Sequence, residues 1–227
     1  MNQQQVARVA SASATTILVL CALAMTVMAA RAPRRPPEPT RTLLKLEAQP
    51  DWGSYVRGGN RIGSATAHAV LVEFADFECP ACRALDKRLM AIRQKYPNDF
   101  AIVYRHYPLA MHRFAEQAAV ASECAAHEGR FTALHDSLFA HPDSIGLKSW
   151  RKFATGAGVR DSLAFDRCLS DSSVAARVES DRRAGDSLGV RGTPTVLING
   201  VKFTGVPTTN QLDSLVQAAL RAPVPPR

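Results

Sequence analysis

The chain has 227 residues, with 28 Lys+Arg against 20 Asp+Glu, 46% hydrophobic and 21% charged residues, and 5 cysteines. That suits one folded domain with residues to spare for an anchor or tail, and it excludes both wholesale disorder and a disulfide-stapled miniprotein. The formal charge of +8 does not point to nucleic acid: Arg8, Arg31, Arg34 and Arg35 all precede the first acid, Glu38, and the other 24 basic residues are scattered with no interleaved aromatic platform.

From Val9 to Ala30 there are 22 uncharged residues, enough for a helix across about 30 Å of hydrocarbon. This run reads either as a signal peptide cut near Val27-Met28-Ala29 or as an uncleaved anchor. The basic cluster that follows it slightly favours the anchor. Either reading exports the chain to the periplasm or another extracytoplasmic face, in the second case tethered to the inner membrane by residues 9–30. Cys21 is an apolar passenger, because Leu20 is too large to precede a lipidated cysteine. Residues 31–50 form a Pro-rich linker, 51–221 the folded domain, and 222–227 a tail.

Within the domain, Val70-Leu71-Val72-Glu73-Phe74 suits a buried strand. After Asp76-Phe77-Glu78, the segment Cys79-Pro80-Ala81-Cys82 opens a helix running to about Tyr96, with Pro80 in the first turn, where its missing N–H goes unmissed. A second strand is expected at 101–105. Helical patterns then fill an insertion at about 112–188, strand character returns at 195–198, and Asn199-Gly200 signals a two-residue hairpin into Val201-Lys202-Phe203. Thr208 and Gln211 stand in capping-box spacing before a last helix. Residues 40–60 carry only weak signals. The fold class is α/β: a central mixed sheet flanked by helices, with an all-helical insertion.

The chemistry centres on Cys79 and Cys82. Two cysteines three positions apart at a helix start lie within disulfide reach, and the helix terminus stabilises the thiolate of the first. Cys79 is expected to be the exposed attacking and leaving sulfur, and Cys82 the shielded resolving one. Structural zinc needs two further ligands at close spacing; Cys124 and Cys168 are single and no His pair is suitably spaced. An inert disulfide is the remaining alternative. Cys124 and Cys168 fall in separate helices of the insertion and are expected to pair as a structural disulfide, the alternative being two small buried thiols. No phosphate-binding glycine loop is visible, and neither a cofactor nor a metal is expected.

Residues 72–82 together with Gly189-Val190-Arg191-Gly192-Thr193-Pro194-Thr195 resemble the DsbA family of exported thiol:disulfide oxidoreductases, and Tyr104-Arg105-His106-Tyr107-Pro108-Leu109 adds to the likeness. The resemblance covers about residues 55–220. It implies a thioredoxin-like fold, a cis peptide before Pro194, and a Thr193–Pro194 loop that faces the cysteines and receives the substrate backbone. It also implies a carboxylate beneath the active site at Glu73, which could relay the proton of Cys82; the plainer reading of Glu73 is a strand residue facing solvent. Glu78 reads as a solvated neighbour. The implied activity is dithiol oxidation of reduced or misfolded exported polypeptides, with a quinone-linked membrane partner to reoxidise the pair. The alternatives are a reductase or isomerase, or a peptide-binding chaperone with a structural disulfide. Oxidising members of the family carry His between the cysteines, whereas Pro80 and Ala81 stand here, so less thiolate stabilisation is expected. Thr193 is a further tuning position.

Overall fold

The structure, a computed structural model, describes residues 47–204 and 206–222. The uncharged run at 9–30, most of the Pro-rich segment and residues 223–227 lie outside the described residues. Among the described residues, no helix is long and apolar enough to cross a membrane.

The elements run in the order β1 (Glu47–Ala48), α1 (Gly53–Val56), β2 (Asn60–Gly63), β3 (Ala69–Ala75), α2 (Pro80–Lys95), β4 (Phe100–His106), α3 (Ala115–Ala126), α4 (Phe131–Ala140), α5 (Trp150–Gly156), α6 (Ser162–Cys168), α7 (Ser172–Ser187), β5 (Thr195–Ile198), β6 (Val201–Thr204) and α8 (Thr209–Arg221), with a 3-10 turn at Pro142–Ser144. One mixed six-stranded sheet has the order β1-β6-β5-β3-β4-β2. Among the described strands only β3 and β4 pair in parallel, joined by the α2 crossover that parallel strands require. Asn199 (φ 42°) and Gly200 (φ 86°) make the tight turn between β5 and β6, the positive angles that an Asn-Gly hairpin uses. Thr208 and Gln211 close a reciprocal capping box at the start of α8.

Both faces of the central strands are covered, as a strand apolar throughout requires. Leu71 and Ala75 of β3, with Ile102 and Tyr104 of β4, face a core shared with α2, α8 and the helical layer. Val70, Val72, Phe74 and Val103 face the other way, against Leu188, Val190 and Ala184 at the end of α7 and against Trp52 and Tyr55 around α1. Gly185 is where α7 touches the sheet: an added Cβ would come within 2.6 Å of Tyr107 and 3.1 Å of Phe74.

The stretch read as a weak preamble, residues 40–60, holds β1, α1 and the first residue of β2. Ile62 is the one large apolar side chain of β2, so propensity alone does not mark a strand there; its status comes from pairing with β4, Ile62 opposite Ile102.

Candidate active site

The chain turns from β3 into α2 through Asp76-Phe77-Glu78, and one buried carboxylate holds this corner. Asp76 Oδ1 accepts the Glu78 N–H at 2.8 Å, while Oδ2 accepts the Leu109 N–H at 2.8 Å and lies 2.8 Å from His112 Nδ1. It thereby ties the corner to the loop after β4. Glu78 is not the solvated neighbour read from sequence: its Oε2 accepts the Phe114 N–H at 2.5 Å, at the start of α3. Neither role was legible, because both depend on partners more than 30 residues away.

Cys79 is the N-cap of α2, in extended conformation, with Pro80 in the first turn. It is not the exposed thiol that its position suggests. Cys79 is 6% exposed and Cys82 is 0% exposed, and neither is disulfide-bonded. The cover over Cys79 comes from the loop before β5, where the Thr193–Pro194 peptide is cis. The Cys79 thiol donates to the Thr193 carbonyl at 3.4 Å. This loop therefore faces the dithiol, with Thr193 against the sulfur that leads the helix.

The two thiols are electrostatically unequal. The Cys82 thiol, the Thr193 hydroxyl and the backbone N–H groups of Cys82 and Ala81 outweigh partial burial and lower the Cys79 pKa to about 5. The expected weakening of the thiolate for lack of an imidazole between the cysteines is thus offset by donors from Cys82, Thr193 and the first helical turn. Cys82 goes the other way: burial, its hydrogen bond to Cys79 and the negative charge of Glu73 push its pKa far above that of a free thiol. At neutral pH the pair holds a thiolate on Cys79 and a thiol on Cys82.

Glu73 lies under the pair at 1% exposure. Alternation along the strand does not turn it to solvent, because every residue of β3 is buried. Its Oε1 has no hydrogen-bond partner. Burial, followed by the charges of Asp86 and Cys79, raises its pKa well above that of a free carboxylate, which favours the protonated form. Directly beside it in register stands Tyr104, whose hydroxyl is also buried and without a partner.

Cys124 and Cys168 form a disulfide bridging α3 to the last residue of α6, across 44 positions of sequence. Among the described residues, two clusters offer metal-ligand types, Asp86 with His135 and Asp136, and His106 with Glu123 and Asp181. Guanidinium groups already neutralise the second. Asp181 pairs with Arg105 at 2.6 Å and Arg177 at 2.5 Å, and Glu123 takes His106 at 2.9 Å and the Asn60 amide at 2.6 Å.

A family model described as thioredoxin matches residues 56–218. The chain belongs to the thioredoxin family. Among solved structures, BdbD from Bacillus subtilis superposes with a TM-score of 0.66 at 21% identity, covering 77% of this chain and 97% of that one. A periplasmic thioredoxin-like protein from Salmonella enterica serovar Typhimurium gives 0.63 at 24% identity, covering 78% and 99%. DsbA2 from Pseudomonas aeruginosa gives 0.55 at 27% identity, covering 70% and 92%. These are DsbA-like neighbours, and the fold they share with this chain is that of thiol-disulfide oxidoreductases. A Na(+)/H(+) antiporter, NhaA 1, of Mycolicibacterium vanbaalenii is 35% identical over 173 residues, 75% of this chain and 27% of the antiporter. The chain spans about a quarter of the length of such curated relatives.

Proposed function

We propose that the protein is a dithiol oxidase that introduces disulfides into exported polypeptides on the extracytoplasmic side of the membrane. The observation that carries this reading is the asymmetry of the pair: a thiolate favoured on Cys79, with a pKa of about 5, beside a Cys82 that resists ionisation. A stabilised thiolate favours the reduced enzyme and therefore makes its disulfide oxidising. The Cys124–Cys168 disulfide and the periplasmic neighbour support an oxidising compartment.

A substrate thiolate attacks Cys79 Sγ in the Cys79–Cys82 disulfide. The S–S bond breaks, its electron pair goes to Cys82, and Cys82 takes up a proton from Glu73. The substrate is now joined to Cys79 while the cis Thr193–Pro194 loop receives its backbone. A second substrate thiolate attacks the substrate sulfur of this mixed disulfide, and Cys79 leaves as a thiolate. The substrate has lost two electrons and two protons; the electrons rest on the enzyme dithiol, and a membrane quinone-linked partner removes them. Pro80 and Ala81 hold the turn that aims the first N–H groups at Cys79.

The test is a redox titration of the dithiol with a Cys79→Ser control. A potential near about −120 mV, with substrate oxidation lost in the variant, is the expected result. A potential near about −270 mV would make the protein a reductase, and an unchanged function in the variant would make it a binding module.

A further inference from the structure

Of the two clusters of metal-ligand types, the one between α2 and α4 lacks the guanidinium pairs that fill the other. Asp86 lies on α2, one turn beyond Cys82, and is 5% exposed. Among the described residues no hydrogen bond or ion pair holds its carboxylate, although an acid this deep in a protein is ordinarily paired. His135 lies on α4 and is 1% exposed, with Nδ1 2.9 Å from Oδ1 of Asp136, the next residue. One donor atom from each of the three side chains lies within 4.8 Å of the other two. The bare carboxylate of Asp86 is thus aimed at an imidazole and a second carboxylate.

The surroundings hold these groups in place and leave one side open. The rings of Phe77, Tyr104 and Phe139 meet the His135 ring edge-on at 5.8, 5.0 and 5.0 Å and fix its position. Asp136 keeps 37% of its side chain exposed. It lines a groove of about 300 Å³ with Gly63, Met90, Arg93 and Phe100, through which an ion and its water can enter.

We propose that Asp86, His135 and Asp136 form a binding site for a divalent ion of the zinc type, with water from the groove completing its coordination. One imidazole and two carboxylates are a donor set that suits Zn²⁺, whereas Ca²⁺ and Mg²⁺ take oxygen donors. Donors about 2.0–2.2 Å from a tetrahedral ion stand roughly 3.3–3.6 Å apart. That separation lies between the 2.9 Å of the His135–Asp136 pair and the 4.8 Å span of the whole set, so small side-chain rotations close the site. The ion would cancel the two carboxylate charges, one of them otherwise uncompensated inside the protein. Arg93 works against it, since its guanidinium already acts on Asp86 and shares the groove. The ligands sit at positions 86, 135 and 136, too far apart for a spacing motif to announce them. Once bound, the ion ties the helix that carries the dithiol to the helical insertion and offsets the Asp86 charge felt at Glu73.

Titration of the oxidised full chain with Co²⁺, followed by displacement with Zn²⁺, tests the site independently of the oxidase reading. With Cys79 and Cys82 joined to each other, their sulfurs cannot take the ion. The expected result is one Co²⁺ per chain with the visible absorption of a four-coordinate ion, displaced by one Zn²⁺. Zn²⁺ should also raise the urea midpoint, because it binds the folded state. Asp86→Asn and His135→Gln are expected to weaken binding about tenfold or more. Arg93→Gln on the groove wall is expected to tighten it about two- to fivefold. Circular dichroism without metal reports whether each variant is folded. If the buried variants do not fold, Asp136→Asn and Arg93→Gln carry the test, the first weakening and the second tightening the site. Absence of binding at millimolar Co²⁺ or Zn²⁺ overturns the proposal. Binding that is unchanged in the folded variants also overturns it, and assigns the ion to exposed histidines such as His68, His127 and His141.

Discussion

Glu73 and Glu123 are both carboxylates buried against the same sheet, and their pKa values shift in opposite directions. Burial opposes ionisation of Glu123 too, but the hydrogen bond and charge of His106, the charge of Arg177 and the amide of Asn60 outweigh it and hold the pKa at about 2. Glu73 has no such partners: among the described residues its Oε1 has no hydrogen bond, and the charges that act on it, Asp86 and Cys79, are negative. The difference teaches that burial alone does not decide the protonation state; the partners do. The charge of Glu123 fastens the α3 and α7 helices to β4, whereas the protonated form favoured at Glu73 is the one the proposed proton relay uses.

The comparison can be broken hardest at its paired end. Asp181 is fully buried and takes hydrogen bonds from Arg105, Arg177 and the His106 N–H. Asp181→Ala strands the buried Arg105 and is expected to lower stability by about 3–5 kcal/mol, read as a drop in the urea midpoint. On the unpaired side, Thr193→Val removes the hydroxyl that helps lower the Cys79 pKa, so ultraviolet thiolate absorbance should appear at higher pH and the dithiol should become less oxidising. Glu73→Leu replaces an unpartnered acid by an apolar side chain and is expected to raise stability by about 1 kcal/mol or more at neutral pH while slowing formation of the Cys79–Cys82 bond.

The smallest and most diagnostic effects lie in the pH dependence of stability. The folded pKa of Glu123 is depressed, so its contribution is complete above the unfolded value of 4.5 and is lost as pH falls toward about 2. The folded pKa of Glu73 is raised, so above 4.5 the folded state holds a proton that the unfolded state has released, and stability declines as pH rises. Denaturation midpoints measured across pH should lose the acid limb in Glu123→Gln and the neutral-side decline in Glu73→Gln.

How much of this could be read from the chain follows from the range over which each feature is encoded. The Cys79–Cys82 spacing, the Asn199-Gly200 turn and the Thr208–Gln211 box are local patterns, and the structure forms each within a few residues of itself. The sheet class was legible from β3, β4 and β5, because apolar runs that short can be satisfied only in a covered sheet. Asp86 was not legible as an interior residue. On a helix with Arg83, Lys87 and Arg88 it resembles one more charge on a wet face, and only the arrival of α4 over α2 encloses it. The Arg105–Asp181 and Asn60–Glu123 contacts join residues 76 and 63 positions apart, a separation at which spacing carries no signal.

The Cys124–Cys168 disulfide has a consequence for how the protein comes into being. A newly made chain carries those two thiols before it carries the bond, so each molecule begins as a client of the chemistry proposed for its mature form. On that proposal, finished copies mature new ones, and a population started without any gains activity slowly at first and faster as it grows. The wrong partner is always at hand during that period, since Cys79 and Cys82 are made in the same chain; once the core has formed, the burial of Cys82 keeps it from capturing a cysteine meant for α3 and α6.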